Sequence, residues 1–78
     1  MTIKRIDMSL KDVKKGDFIE INEISDPVTK NHLIRFGIDI GSKIQCFQKI
    51  FNGPVIIKFN RQQIALGQGI AREILVKA

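Results

Sequence analysis

The chain has no tryptophan and no tyrosine, and its 78 residues include one histidine, one cysteine and two prolines. Each scarcity excludes something. A single thiol, Cys46, can form no internal disulfide, so the staple framework of small secreted domains is missing. One cysteine and one histidine build no Cys-x-x-Cys and no His-Glu-x-x-His, the usual metal-ligand spacings. Without Trp or Tyr the chain lacks the polar-tipped aromatics that line proline-peptide grooves. The longest unbroken apolar runs, such as Val55-Ile56-Ile57, are three residues, too short for a membrane span. Met1 to Arg5 is basic but no apolar segment follows it, so no secretory signal is expected and the expected compartment is the cytoplasm.

What remains is an ordinary globular composition, 44% apolar and 27% charged, in a length that fits one domain spanning 1–78. A domain of this size buries only about 60% of its unfolded surface, so its stability is marginal. Thirteen Lys and Arg against eight Asp and Glu leave a formal charge of +5. That balance suits nucleic acid, an anionic membrane surface or an acidic protein, and does not choose among them. The cations are scattered, with only Lys4-Arg5 and Lys14-Lys15 adjacent, as on a solvated mixed surface.

Turn signals are frequent and segments short. Residues 9–16 read as one helical turn with Leu10 and Val13 inward, stopping at Gly16. Phe18 to Ile24 alternates as a strand, but Ile24 is one step out of phase, which predicts a bulge near its end. Asp26-Pro27 supplies an N-cap and a first-turn proline, Thr29, Leu33 and Phe36 form an apolar stripe, and Gly37 is the left-handed terminator. A helix over Pro27 to Phe36 follows. Strand Lys43 to Phe51 is read with Ile44, Cys46, Gln48 and Ile50 on one face and Phe47, Lys49 and Phe51 on the other. Asn52-Gly53-Pro54 is an irregular turn, Val55 to Asn60 a return strand, and Asn60 to Gln63 a polar corner before strand Ile64 to Leu66. One helical turn at Ile70 to Glu73 and a closing strand Ile74 to Val76 complete the chain. About five short strands with one short inserted helix predict a mainly β, small SH3-like or OB-like barrel that closes to protect its edges.

Catalytic groups are scarce. No Gly-x-Ser-x-Gly elbow surrounds Ser9, Ser25 or Ser42, and nothing pairs Cys46 with His32. Gly67-Gln68-Gly69 lacks the third glycine of a dinucleotide loop and there is no Walker lysine. No catalytic, cofactor-binding or metal residue is assigned, and enzymatic activity is not expected. Asp7, Asp12 and Asp17 recur every five residues, which matches no EF-hand loop. A metal site shared at a subunit interface would draw on His32 and Cys46, although Cys46 reads as a buried small hydrophobe.

Two surfaces are candidates for a partner. One is the helix face carrying Lys30, His32, Ile34 and Arg35, an aliphatic side chain among positive charges. The other is the strand face with Phe47 and Phe51 flanking Lys49. A regulatory or nucleic-acid-binding barrel using Lys43, Lys49, Lys58 and Arg61 is the alternative, disfavoured because so small a domain needs most of its phenylalanines for its core. Gly16, Gly37, Gly41 and Gly53 are read as structural.

The stretch His32-Leu33-Ile34-Arg35-Phe36-Gly37-Ile38-Asp39-Ile40-Gly41-Ser42-Lys43-Ile44 resembles the FeoA family, in which Leu33, Phe36, Gly37, Ile38, Gly41 and Ile44 occupy matching places. Leu10-x-x-Val13-x-x-Gly16 upstream is similar to its opening. Gly53-Pro54-Val55, Ile64-Ala65-Leu66, Ala71, Ile74 and Val76 are similar to its ending. The resemblance spans residues 9–77. It departs at His32, where arginine is usual, and at Ile40, where proline normally precedes the glycine. It implies an SH3-like barrel with a helical insertion and a cytoplasmic accessory role in bacterial ferrous iron uptake. The implied partner is the cytoplasmic domain of a membrane, GTP-binding ferrous iron transporter, which would hold the protein at the inner membrane. The resemblance also associates the domain class weakly with transition metal ions, with no ligand set identified here. Oligomeric state is left open, a homo-oligomer included.

Overall fold

Alternation of apolar and polar residues builds six antiparallel strands in the computed structural model, which describes residues 8–77. They are β1 (Met8–Ser9), β2 (Phe18–Ile24), β3 (Lys43–Lys49), β4 (Val55–Phe59), β5 (Gln62–Leu66) and β6 (Ile74–Lys77). They form one sheet in the order β1-β6-β2-β3-β4-β5. A 3-10 turn spans Leu10–Asp12, helix α1 spans Pro27–Ile34 and helix α2 spans Gln68–Ala71. The architecture is mainly β and SH3-like, as expected. The ends of the domain reading, 1–7 and 78, lie outside the described residues.

Two expectations about the sheet are corrected. There are six strands rather than about five, because Met8 and Ser9 pair with Val76 and Leu75 ahead of the helical turn read at 9–16. That turn is only Leu10–Asp12, capped by the Ser9 side chain, and Gly16 lies well beyond its end. The sheet is also not closed: among the described residues β1 and β5 do not pair. A two-residue β1 that turns at once into a 3-10 helix leaves nothing for β5 to bind. So short a strand also protects its own edge.

Bulges decide which side chains face inward. In β2 the register shifts between Ile21 and Glu23, so Ile19, Ile21 and Ile24 are all buried despite their uneven spacing. In β3 a second shift follows Cys46, with Cys46 opposite Ile57 and Gln48 opposite Ile56. The single face read for Ile44, Cys46, Gln48 and Ile50 therefore breaks after Cys46. Gln48 is exposed and Ile50 stands in the following loop. Phe47 and Phe51 likewise do not share a strand face, since β3 ends at Lys49.

The hairpins also differ from their expected form. Asn60 and Arg61 have φ of +48° and +69° and join β4 to β5 directly, with Phe59 opposite Gln62. Positive φ at both central residues is the type I′ geometry that matches strand twist. β5 consequently begins at Gln62 and not at Ile64. α2 likewise lies two residues before the helical turn read at Ile70 to Glu73.

The core is aliphatic. Leu10, Leu33, Ile38, Ile57, Leu66 and Ile74 are wholly buried with Cys46 among them, whereas Phe36 and Phe59 only pack against its margin. Phe18 and Phe51 are exposed. Two exposed phenylalanines are no more than so small a domain was expected to spare, but the other three are half-buried rather than inside the core. Aliphatic side chains from both ends of the chain fill the interior of so small a sheet.

Candidate partner-binding face

Helix α1 owes its position to capping at both ends. The Asp26 carboxylate accepts the Thr29 N–H at 3.2 Å, and Pro27 occupies the first turn, where a missing N–H costs nothing. The preceding Ser25 ties the helix to the start of β6, its N–H donating to the Glu73 carbonyl and its hydroxyl to the Glu73 carboxylate. At the far end Gly37, at φ +80°, donates to the Ile34 carbonyl, and Ile38 donates to the Leu33 carbonyl. This paired closure is a Schellman motif, and its customary apolar contact falls to Leu33 and Ile38, both fully buried. Regular helix therefore ends at Ile34, two residues short of the Phe36 expected.

Anchoring by Thr29 and Leu33 turns the rest of α1 to solvent. Val28 is 74% exposed and Ile34 48% exposed, on either side of Asn31 and Arg35. Val28, Asn31, His32 and Arg35 line a shallow recess. His32 is half-buried, with its ring edge-on to Phe36 at 5.8 Å, and Lys30 is half-buried. Apolar area from Val28 and Ile34 is thus exposed on the same short helix as Lys30 and Arg35. Of the four helix candidates, His32 and Arg35 line this recess together with Val28, whereas Lys30 and Ile34 do not. The exposure of Val28 was legible as a position off the Thr29–Leu33–Phe36 stripe.

Phe47 and Phe51 are not part of this face. α1 follows the end of β2, which antiparallel pairing of Phe18–Glu20 with Lys43–Gln45 carries past the start of β3, whereas Phe47 lies towards the other end of β3 and Phe51 beyond it. Nor do they match each other. Phe47 is half-buried beneath the Lys58 ammonium, 5.7 Å from its ring centre, while Phe51 is 93% exposed. The alternative basic set is dispersed too: Lys43 begins β3, Lys49 ends it, Lys58 covers Phe47 and Arg61 sits in the hairpin. Phe18, 75% exposed on β2, was missed. Since Ile19 and Ile21 face inward, alternation alone sends Phe18 outward.

The glycines divide by mechanism. Gly16, Gly37 and Gly41 have positive φ. Asp39 to Ser42 is a turn closed by the Ser42 N–H to the Asp39 carbonyl, with Gly41 third, and Gly41 then donates to Ile21 across the β2 bulge. The Ile40 N–H donates to the Asp39 carboxylate at 2.7 Å. Gly53 has no positive φ, but a side chain there would press within 2.9 Å of Ile50.

Metal chemistry finds little to work with. Among the described residues no three His, Cys, Asp or Glu side chains converge on a point that could hold an ion. Cys46 is fully buried, so it cannot be a donor at a subunit interface as that reading required. Burial pushes its thiol above the ordinary value, Lys49 opposing and Asp17 reinforcing.

Residues 8–78 match the model of the FeoA domain family. This chain belongs to that family, the ferrous iron transport accessory proteins. A putative Fe(2+) transport protein A of Methanocaldococcus jannaschii is 35% identical over 65 residues, covering 82% of this chain and 78% of that protein. The crystal structure of an iron uptake regulatory protein, FeoA, superposes with a TM-score of 0.82 at 25% identity, covering 92% of this chain and 96% of that one. A manganese-dependent transcriptional repressor superposes at 0.85 and 22% identity over 97% of this chain but 44% of its own, a likeness of fold alone. Among the described residues no helix is long and apolar enough to cross a membrane.

Proposed function

We propose that this FeoA-family chain is a non-enzymatic, cytoplasmic accessory of ferrous iron uptake that binds the cytoplasmic domain of a membrane iron transporter through the exposed face of α1. Family membership carries the accessory role. The contact surface rests on α1, where Val28 and Ile34 offer apolar area and Lys30 and Arg35 offer charge beside the His32 ring. Apolar area supplies affinity, and cations steer encounter with an acidic partner and sharpen specificity. Binding modulates the transporter, and the accessory itself transforms no substrate.

The test is capture of the transporter's cytoplasmic domain by the wild-type protein and by the double variant Ile34→Asp, Arg35→Glu. Both positions are exposed, so the variant is expected to keep its fold and lose capture. Wild-type capture by the folded double variant would overturn α1 as the contact surface.

A further inference from the structure

The turn joining β3 to β4 points its apolar residues away from the core. Phe51 is 93% exposed, and Ile50 beside it 47%. Turn geometry does not require them. The Gly53 N–H donates to the Ile50 carbonyl at 2.8 Å, so Phe51 and Asn52 are the central pair of a β-turn. Asn52, at φ +54°, suits the left-handed position, but the position held by Phe51 accepts most residues and is commonly proline. The turn is also braced. The Ile50 N–H donates to the Pro54 carbonyl at 3.2 Å, and Gly53 lies flush against Ile50. Phe51 is therefore held outward by a closed turn.

Cations surround the base of this tip. Lys49 precedes it, and Lys11 lines the same recess as Ile50, Phe51 and Gln68. Lys14 and Lys15 are exposed just before Gly16, whose N–H bonds the Cys46 carbonyl at the middle of β3. Two carboxylates lie nearby, and both are engaged: Asp12 with the Lys11 ammonium at 3.1 Å, and Asp17 with the Lys14 N–H at 3.2 Å. Four lysines against two aspartates leave this end positive, as the chain is overall.

We infer that the Ile50–Phe51 turn seats the protein on an anionic lipid bilayer, Phe51 entering the headgroup–acyl boundary while the lysines meet lipid phosphates. An apolar apex with cations set behind it matches the depth profile of a bilayer surface, where apolar area and anionic attraction combine. A protein groove would call for an extended apolar patch, and a single strand for a row of stacking rings. Here one ring stands on a convex tip. α1 lies at the opposite end of β3, so it stays free for a partner while this turn is seated. The inference stands independently of the transporter reading.

The absence of Trp and Tyr makes Phe51→Trp the sole indole fluorophore in the full chain, read against protein-free vesicles of phosphatidylglycerol and phosphatidylcholine. Its emission is expected to move to shorter wavelength with anionic vesicles and not with pure phosphatidylcholine. Co-sedimentation of the wild-type protein with anionic vesicles should weaken as salt rises. Phe51→Ser should lower that partitioning about tenfold, and Lys11→Glu with Lys49→Glu at least as much, at unchanged melting temperature. Failure of the wild-type protein to sediment with anionic vesicles would overturn the inference. So would sedimentation with an unshifted Phe51→Trp emission, or the same shift on a lipid-free single-stranded oligonucleotide. Because the vesicles carry no protein, none of these outcomes bears on transporter capture.

Discussion

One carboxylate oxygen of Asp26 satisfies both polar groups of Thr29, accepting its backbone N–H at 3.2 Å and its hydroxyl at 2.9 Å. Thr29 is 3% exposed and is the buried polar residue of the described core, so its hydroxyl depends on this carboxylate for a partner. Asp26→Ala removes a cap and strands that hydroxyl together, at an expected cost of about 2 kcal/mol. Adding Thr29→Val should recover part of the loss, because no hydroxyl is then left unpaired. Denaturant melts of the four proteins in this cycle measure the coupling, and additive effects would show the pair to be energetically idle.

Gly37 and Gly53 should fail for different reasons when replaced. A Cβ on Gly37 meets nothing nearer than 3.8 Å, so Gly37→Ala is charged only for its φ of +80°, about 1 kcal/mol, and Gly37→Val for more. Gly53→Ala instead drives a methyl within 2.9 Å of Ile50, at about 1–3 kcal/mol. Ile50→Ala removes the Cγ2 at 2.9 Å but keeps the Cβ at 3.2 Å, so it should rescue Gly53→Ala in part and leave Gly37→Ala unchanged. Equal rescue of both in thermal melts would refute the distinction.

Arg61 is a position where the chain can be improved. At φ +69° it carries a side chain through the left-handed region, in a hairpin whose favoured pair is Asn-Gly. Arg61→Gly should stabilise by about 0.5–1 kcal/mol, read as a higher denaturant midpoint at constant slope. A lower midpoint would mean that the arginine side chain makes up for its backbone strain.

The Cys46 thiol should resist labelling by thiol reagents in the native state, since it is wholly buried. Its pKa is raised from 9.0, mainly by burial, so the folded protein holds the proton more tightly than the unfolded chain. Its contribution to stability is complete below about pH 9 and is lost as pH rises through the elevated folded value. Melts of Cys46→Ala should accordingly decline less steeply than wild type above pH 9. Parallel declines would show that the thiol does not titrate differently on folding.

The start of α1 and its left-handed terminator were legible because their determinants are neighbours in the chain, Asp26 and Pro27 before it and Gly37 after it, although the helix stops at Ile34, short of the Phe36 expected. The β2 bulge was legible for the same reason, as a phase slip between Ile21 and Ile24. Of the candidate surface, the α1 face followed from the helix and its anchoring stripe. The second surface did not hold together: Ile44, Cys46, Gln48 and Ile50 alternate without a slip, yet β3 bulges at Phe47.

The reason lies in what each feature depends on. Caps, turns and alternation are energies between residues a few positions apart, so the chain by itself determined the start of α1 and the inward faces of β2 and β4. Tertiary structure decided the β3 register, the I′ turn at Asn60-Arg61, the pairing of β1 with β6 and the open edge. Each of these is a contest between whole strands. Burying Ile57 and Val55 of β4 against β3 outweighs the unbroken alternation of β3 itself, and sends Gln48 outward with Phe51 beyond the strand's end. Pairing energies of that kind belong to residues far apart in sequence, and no window along one strand contains them.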